Sequence, residues 1–467
     1  MRIFVAGATG VLGTPTVAEL IAAGHIVTGV ARRPDRAARL LAAGATPVAV
    51  DLFDRTALAA AVAGHDAVVN LATHIPSLKE MGKPDAWAEN SRIRSEASGN
   101  LVDAALAAGA SVFVQESVAF LTEGRGEEWV DESAPLLDVD VVAPVRRAEA
   151  NAARFAAAGG RGVVLRFGGF YGPTSGLTQL LVRGARRGVS LDVGDRDAYY
   201  PLIAVPDAAR AVVAAVEEAP SGTYNVVDDE PMTRREMKTV WSELMGRRLR
   251  WLPEATARMA GPAATLMRQS MRASNRRFRA ATNWRPQKPS IREGLPAAID
   301  ALGGPVPRFR GPARVTLWLL LLSAVALGVW AQFAPHSFYV SFPFGRGWVA
   351  ADGPYNEHLV RDFGGLNLAM AVVTGAALFL RRTSAAVTAA LAWLVFAVPH
   401  VVYHASHLDH YDGGDAAGNV IGTALLVVLP LVILAFRQTV VARRTGSDHD
   451  PRPRPAEPGL EQYAPLS

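Results

Sequence analysis

The chain has no cysteine among its 467 residues, which excludes disulfides, thiolate metal sites and a cysteine nucleophile. Its start, "MRIFVAGATG", lacks a basic segment followed by a cleavable apolar one. The expectation is therefore no signal peptide and a first domain that stays in the cytosol. Nine arginines between Arg247 and Arg279 face one acid, Glu254, with only Trp251 and Phe278 as aromatics among them and no nucleic-acid motif, so no DNA or RNA partner is expected.

Half of the residues are hydrophobic, but they are unevenly spread. Up to about residue 300, apolar runs are short and alternate with helix-length segments: "RIFVA", "IVTGVA", "TPVAVD", "DAVVNLA", "SVFVQES" and "GVVLRFG". That alternation predicts parallel βαβ units in a doubly wound, Rossmann-type α/β sheet, with a small lobe from about residue 170 onward. Four apolar stretches follow at 314–334, 363–380, 385–404 and 417–436, long enough for an all-α, four-span transmembrane domain. The expected organisation is a dinucleotide-binding domain over 1–300, a linker over 301–312, the membrane domain over 313–444 and a disordered tail over 445–467. Arg308, Arg310, Arg314, Arg381, Arg382, Arg437, Arg443 and Arg444 flank one side of the spans, against Arg346 and Arg361 on the other. This bias predicts a multi-pass cell-membrane protein with the first domain and the tail both cytoplasmic.

"GATGVLG" sets Gly7, Gly10 and Gly13 between the first strand and the first helix. Glycine there allows a tight turn and close approach of backbone to a pyrophosphate, which the helix amino-terminus attracts. Gly7, Thr9, Gly10, Val11, Leu12 and Gly13 are the expected dinucleotide contacts, with Leu71 and Ala72 after the fourth strand. An acid ending the second strand would favour NAD; here stand Arg32 and Arg33, whose guanidinium groups suit a 2′-phosphate. NADP is the expected cofactor, with NAD possible, and Asp51 and Leu52 are expected beside the adenine.

With these pieces the chain resembles the extended and atypical short-chain dehydrogenase/reductases, the NAD-dependent epimerase/dehydratase group. Further matches are "VVNLA", "NLVDAA", "VDESAPL", "LRFGGFYGP", "VPDAARAVVAAVE", "GTYNVVDDEPMT" and "SNRRFRAATNWRP", in order over about residues 1–300. The resemblance implies a dinucleotide across the sheet edge and a small-molecule substrate under the lobe. It also implies a Ser or Thr with a Tyr-x-x-x-Lys pair, in which the lysine lowers the phenol's pKa for acid–base work. Counting back from Glu149 puts Val145 at the lysine and Val141 at the tyrosine, and the upstream Asn falls near Arg94. Ser117, Tyr171 and His74 are the remaining catalytic candidates, with Glu116 and Arg146 behind them. Tyr171 equally reads as a packing residue, His74 as a pocket-lining loop residue and Ser117 as a satisfied turn serine.

The basic segment at 247–279 fits an anionic leaflet, a substrate pyrophosphate or a solvated face, and the nearby spans favour the leaflet. His400, His404 and His407 fall at i, i+4 and i+7 in the third span, with His410 following. The cluster is open to a metal, haem, proton path or purely structural reading; no metal site is expected from it. Two functions stand: a membrane-attached, NADP-preferring oxidoreductase or epimerase-like protein acting on a small or lipid-soluble substrate, and a dinucleotide-binding sensor that regulates its membrane domain.

Overall fold

The computed structural model describes residues 1–76, 80, 83–192, 194–252, 269–304, 311–380 and 383–436. These residues fall into two compact units on either side of positions 305–306.

In the first unit, β1 (Arg2–Ala6), β2 (Ile26–Val30), β3 (Thr46–Val48), β4 (Ala67–Asn70), β5 (Val112–Val118), β6 (Arg161–Phe167) and β7 (Gly222–Val226) form one sheet. All its pairs are parallel, in the order β7-β6-β5-β4-β1-β2-β3. The doubly wound sheet read from the apolar runs is the one observed. Both faces are apolar because successive side chains point to opposite sides and each side is covered by helices. Ile3 and Val5 pack with Val17 and Leu20 of α1 (Gly13–Ala22) and with Val212 of α8 (Val205–Glu217). Phe4 lies on the other side with Leu58 of α3 (Arg55–Val62), Leu101 of α5 (Ser98–Ala107) and Phe155 of α6 (Ala143–Ala157). Strand order reverses between β1 and β4, the place where sheets of this kind bind ligands at the carboxyl ends of their strands.

The lobe is built from α7 (Gly176–Arg187), α9 (Arg234–Leu244) and α11 (Ile291–Ala301). They close on Val182, Met237, Trp241, Leu295 and Ile299. Local signals explain its starts and stops: Thr233 and Glu236 form a capping box at α9, and Gly188 ends α7 at φ 86°. The motif "VPDAAR" is structural. Asp207 is fully buried and accepts the N–H groups of Gln287 (2.7 Å) and Lys288 (3.0 Å), besides pairing with Arg210. The Asp207 carbonyl accepts the Trp284 indole N–H at 3.0 Å, which ties the "NWRP" segment onto α8.

In the second unit α12 (Gly311–Phe333), α13 (Glu357–Leu380), α14 (Thr383–Ser406) and α15 (Gly413–Ala435) are long and apolar enough to cross a membrane. Large apolar side chains such as Val372 and Val395 stand 73% and 76% exposed on their outer faces, a surface suited to lipid rather than water. This is a membrane protein. Between α12 and α13 small residues admit close backbone approach: a Cβ on Gly364 would meet the Gln332 nitrogen at 2.6 Å. Helix α13 begins six positions earlier than the apolar run at 363, because Asn356 caps Leu359 (3.2 Å) and Glu357 pairs with Arg361 (2.9 Å) in a polar first turn. The tail at 445–467, arginines 308, 310, 381, 382, 437, 443 and 444, and arginines 258 and 268 of the basic segment lie outside the described residues.

Candidate functional site

The turn after β1 is shaped by its glycines. Gly7 has φ 77°, and a Cβ there would sit 2.5 Å from the Leu71 carbonyl carbon and 2.7 Å from the Ala72 nitrogen. A Cβ on Gly13 would come within 2.0 Å of the Gly7 oxygen. The loop thus closes onto the end of β4 and onto its own helix as only glycine permits. Helix α1 starts after Leu12 with no side chain capping it. Thr14 already donates its N–H to the Gly10 carbonyl at 3.1 Å and Pro15 has none, so the amide of Gly13 and those of Val11 and Leu12 before it are the ones left to meet an anion. Thr9 and Val11 stand on the loop's outer side, and Leu12 is buried beneath it. This cradle fits the pyrophosphate of a dinucleotide.

At the end of β2, Arg32 and Arg33 are both exposed. Arg33 is engaged with Asp35 through two hydrogen bonds (2.9 and 3.1 Å), which holds the Asp35 carboxyl below its ordinary pKa. The guanidinium that reaches the glycine loop is that of Arg36, whose Nη1 donates to Thr9 Oγ1 at 3.3 Å. Sequence reasoning missed Arg36, although Pro34 as the first residue of α2 (Pro34–Ala42) signals a helix whose first turn carries Arg36. Asp51 accepts the Phe53 N–H at 3.1 Å in a turn, and the Leu52 carbonyl accepts from Asn100 at 3.1 Å.

At the ends of β4 and β5, Leu71 is buried and Ala72 donates its N–H to Asn70 (3.1 Å). His74 is exposed on the loop that follows, its backbone N–H held by Asn90 at 3.0 Å. One helical turn past Asn90, Arg94 is buried and pairs with Glu116 at 2.8 Å. Burial raises the Glu116 pKa against the lowering pull of Arg94. Ser117 is fully buried and donates its hydroxyl to Glu149 at 2.6 Å. Glu149 is itself clamped by Arg166 through two hydrogen bonds of 2.9 and 2.8 Å. These two buried arginine–glutamate pairs under the strand ends were not foreseen as pairs.

The segment 141–145 enters α6, with a single turn at Asp140–Val142 before the helix. Val142 and Val145 are buried with Leu121, against Val118, Phe120, Leu136 and Leu137. Arg146 turns away to Asp138 (3.1 Å) and the Leu137 carbonyl (2.5 Å). Tyr171 is buried in the lobe core, where its hydroxyl donates to the Ser290 carbonyl at 3.2 Å and its ring fills the space left by Gly294. Burial, reinforced by Asp228, pushes its phenol far above the ordinary range, so it exchanges no proton near neutral pH.

In the second unit His400 and His404 lie edge to face, with ring centroids 4.6 Å apart. His407 falls just past the end of α14 and stacks on Tyr403 at 4.3 Å, and His410 lies in the next turn. Among the described residues no three histidine or carboxylate groups converge to hold a metal ion.

The sequence pattern of the NAD dependent epimerase/dehydratase family matches residues 3–227. A 3-diazoavenalumate denitrifying reductase from a Streptomyces species is 37% identical over 310 residues, which is 63% of this chain and 99% of that protein. A human epimerase family protein solved with NADPH superposes with a TM-score of 0.56 at 25% identity, covering 64% of this chain and 99% of that one. A UDP-glucose 4-epimerase from Thermotoga maritima gives a TM-score of 0.55 at 18% identity over 65% and 99% of the two chains, a likeness of fold. The glycine cradle, the order of the strands and these relatives lead to one conclusion: the chain belongs to the NAD-dependent epimerase/dehydratase family, whose cofactor is NAD(P).

Proposed function

We propose that this protein is a membrane-attached, NADPH-preferring reductase that works without the Tyr-x-x-x-Lys pair, on small or lipid-soluble substrates that need no proton from the protein. The observation that carries the reading is the filling of the α6 entrance by Val142 and Val145 in an apolar cluster. Among the described side chains of that cluster none can exchange a proton. Ser117 supports it too, because its hydroxyl is already given to Glu149, which leaves the serine a positioning role. Of the other candidates, Tyr171 serves packing, and His74 lines the reacting end from the β4 loop. Gly7, Gly10, Gly13 and the α1 amino-terminus would hold the pyrophosphate, Arg32 and Arg36 the 2′-phosphate, and Asp51 and Leu52 the adenine side.

Bound NADPH would supply a hydride. An aryl diazonium cation is electrophilic at its terminal nitrogen and would accept the hydride there without general acid catalysis, giving a neutral aryl diazene, Ar–N=N–H, that loses N2 to leave Ar–H. The Streptomyces relative is named for such a substrate; for this chain we infer the same class of electrophile, with the particular compound left to the lobe. The test is NADPH oxidation by the full chain in mild detergent against aryl diazo compounds, aldehydes and ketones. Turnover on the diazo class should exceed that on simple carbonyls by about ten-fold or more, a difference of about 1.4 kcal/mol in barrier. Its rate should show no titrating phenol between about pH 7 and 10. Comparable rates on plain ketones would overturn the reading. Tight NADPH binding with no oxidation by any class would favour a cofactor-binding sensor instead.

We also propose that the spans sit in the cell membrane with the first unit and the tail cytoplasmic, on the arginine bias of the loops. A reporter active only in the cytosol should be on when fused after Ser467 and off when inserted beside Gly353. The reverse pattern would refute that orientation.

A further inference from the structure

The arginines of the basic segment divide in two. Arg272 lies over the rings of Trp129 and Tyr199 (4.4 and 5.2 Å), Arg277 over Tyr224 (5.4 Å), and Arg279 pairs with Asp229 at 3.0 Å. These are engaged within the first unit. Those at the start of the segment are placed differently. Arg186, near the end of α7, donates Nη2 to the carbonyls of Leu302 (2.6 Å) and Gly304 (2.8 Å), where the chain leaves the first unit. The Arg186 carbonyl accepts Arg247 Nη1 at 2.7 Å, and the Gly188 carbonyl accepts the Arg250 N–H at 2.9 Å. Arg250–Trp251 then runs parallel to Val189–Ser190. The chain exit and the start of the basic segment are thus built on the same turn.

Around that turn Arg187, Arg196, Arg248 and Arg250 are exposed. Trp251 is half-buried, with Lys238 and Arg196 over its ring at 5.1 and 5.3 Å. The cations stand close together: beyond desolvation, Arg248, Arg196 and Arg235 all lower the Lys238 pKa. Of the carboxylates nearby, Asp197 is matched with Arg235 (2.7 Å) and Glu243 with Arg292 (3.9 Å). Exposed Asp195, which accepts the Asp197 N–H at 3.0 Å, offsets one charge among Arg187, Arg196, Lys238, Arg248 and Arg250. Positive charge on this face therefore exceeds what the unit itself neutralises. Only residues 305–310 separate Gly304 from α12, and a seven-step tether reaches at most about 25 Å when extended.

We propose that Arg187, Arg196, Lys238, Arg248, Arg250 and Trp251 form a docking surface for the anionic phospholipid headgroups of the bilayer that holds the chain's own spans. The inference rests on the spans crossing a membrane and is independent of what the reductase site acts on. An open, exposed array of cations around an indole suits a headgroup layer, in which tryptophan and basic side chains both settle. A soluble phosphate would call for a recessed site that removes it from water. The short tether leaving from this same turn keeps the surface supplied with lipid at high effective concentration.

The absence of cysteine allows a clean test. A fluorophore is attached to Thr239→Cys, exposed on α9 beside Lys238, in the full chain held in lipid nanodiscs. Quenching by a headgroup-spin-labelled lipid is compared between phosphatidylcholine alone and a mixture with about 30% phosphatidylglycerol, each charge near such a surface changing the docked-to-undocked ratio about five-fold. Quenching should be strong only with the anionic lipid and should fall in about 0.5 M salt, where the Debye length shrinks to about 4 Å. The triple variant Arg187→Gln/Arg248→Gln/Arg250→Gln should lower the docked ratio on the order of a hundred-fold while binding NADPH as the unaltered chain does. A label on Ala18→Cys, on α1, should not respond. Equal quenching in the two lipids, or quenching retained by the triple variant, would overturn the proposal. Release by millimolar inorganic pyrophosphate at constant ionic strength would overturn it in favour of a soluble anion.

Discussion

Glu149→Ala should destabilise the first unit by about 3–5 kcal/mol, the cost of leaving a buried charge without its partner. Arg166 and Glu149 are both nearly buried, at 8% and 12% side-chain exposure, and meet through two hydrogen bonds. The same carboxylate accepts the Ser117 hydroxyl at 2.6 Å, so one deletion strands a guanidinium and a hydroxyl together. The readout is the midpoint of the first unfolding transition of the full chain in detergent. Removing both charges, as Glu149→Leu/Arg166→Met, should restore most of the loss, since an apolar replacement needs no partner. Arg154→Ala, which breaks the exposed pair with Asp103 at 2.7 Å, should change stability by less than about 1 kcal/mol. A Glu149→Ala effect no larger than that of Arg154→Ala would show that the buried pair is not what joins β5, β6 and α6.

NADPH should bind more tightly than NADH by about 1–3 kcal/mol, the worth of charge-assisted hydrogen bonds to a phosphate. Arg36→Ala and Arg32→Ala should each erase much of that preference while leaving NADH affinity nearly unchanged. Arg33→Ala should matter less, because its guanidinium is already held by Asp35. Calorimetry on the full chain measures all three. Equal affinities for the two cofactors in the unaltered protein would end the argument, and a loss confined to Arg33→Ala would relocate the phosphate.

Much of the architecture is legible without coordinates because its signals are local. The short apolar run "RIFVA" reads as a strand, and in the fold Ile3 and Val5 face one core layer and Phe4 the other. The glycines at 7, 10 and 13 report a turn whose backbone must approach another strand closely. The four spans announce themselves by length and hydropathy alone, although their polar first turns, such as Glu357–Arg361, extend beyond the apolar runs.

The sequence by itself determined the doubly wound sheet, the glycine turn after its first strand and the membrane spans, since each depends on residue type and spacing along the chain. Only the tertiary structure decided which arginine meets the glycine loop, where the Ser117 hydroxyl is spent, that the Tyr171 phenol faces the lobe core, and that the chain exit and the basic turn share Arg186. Those facts join residues far apart, such as Arg36 with Thr9, Ser117 with Glu149 and Tyr171 with Ser290. Their outcome rests on the direction each side chain takes once its helix or strand is packed, which spacing along the chain does not specify.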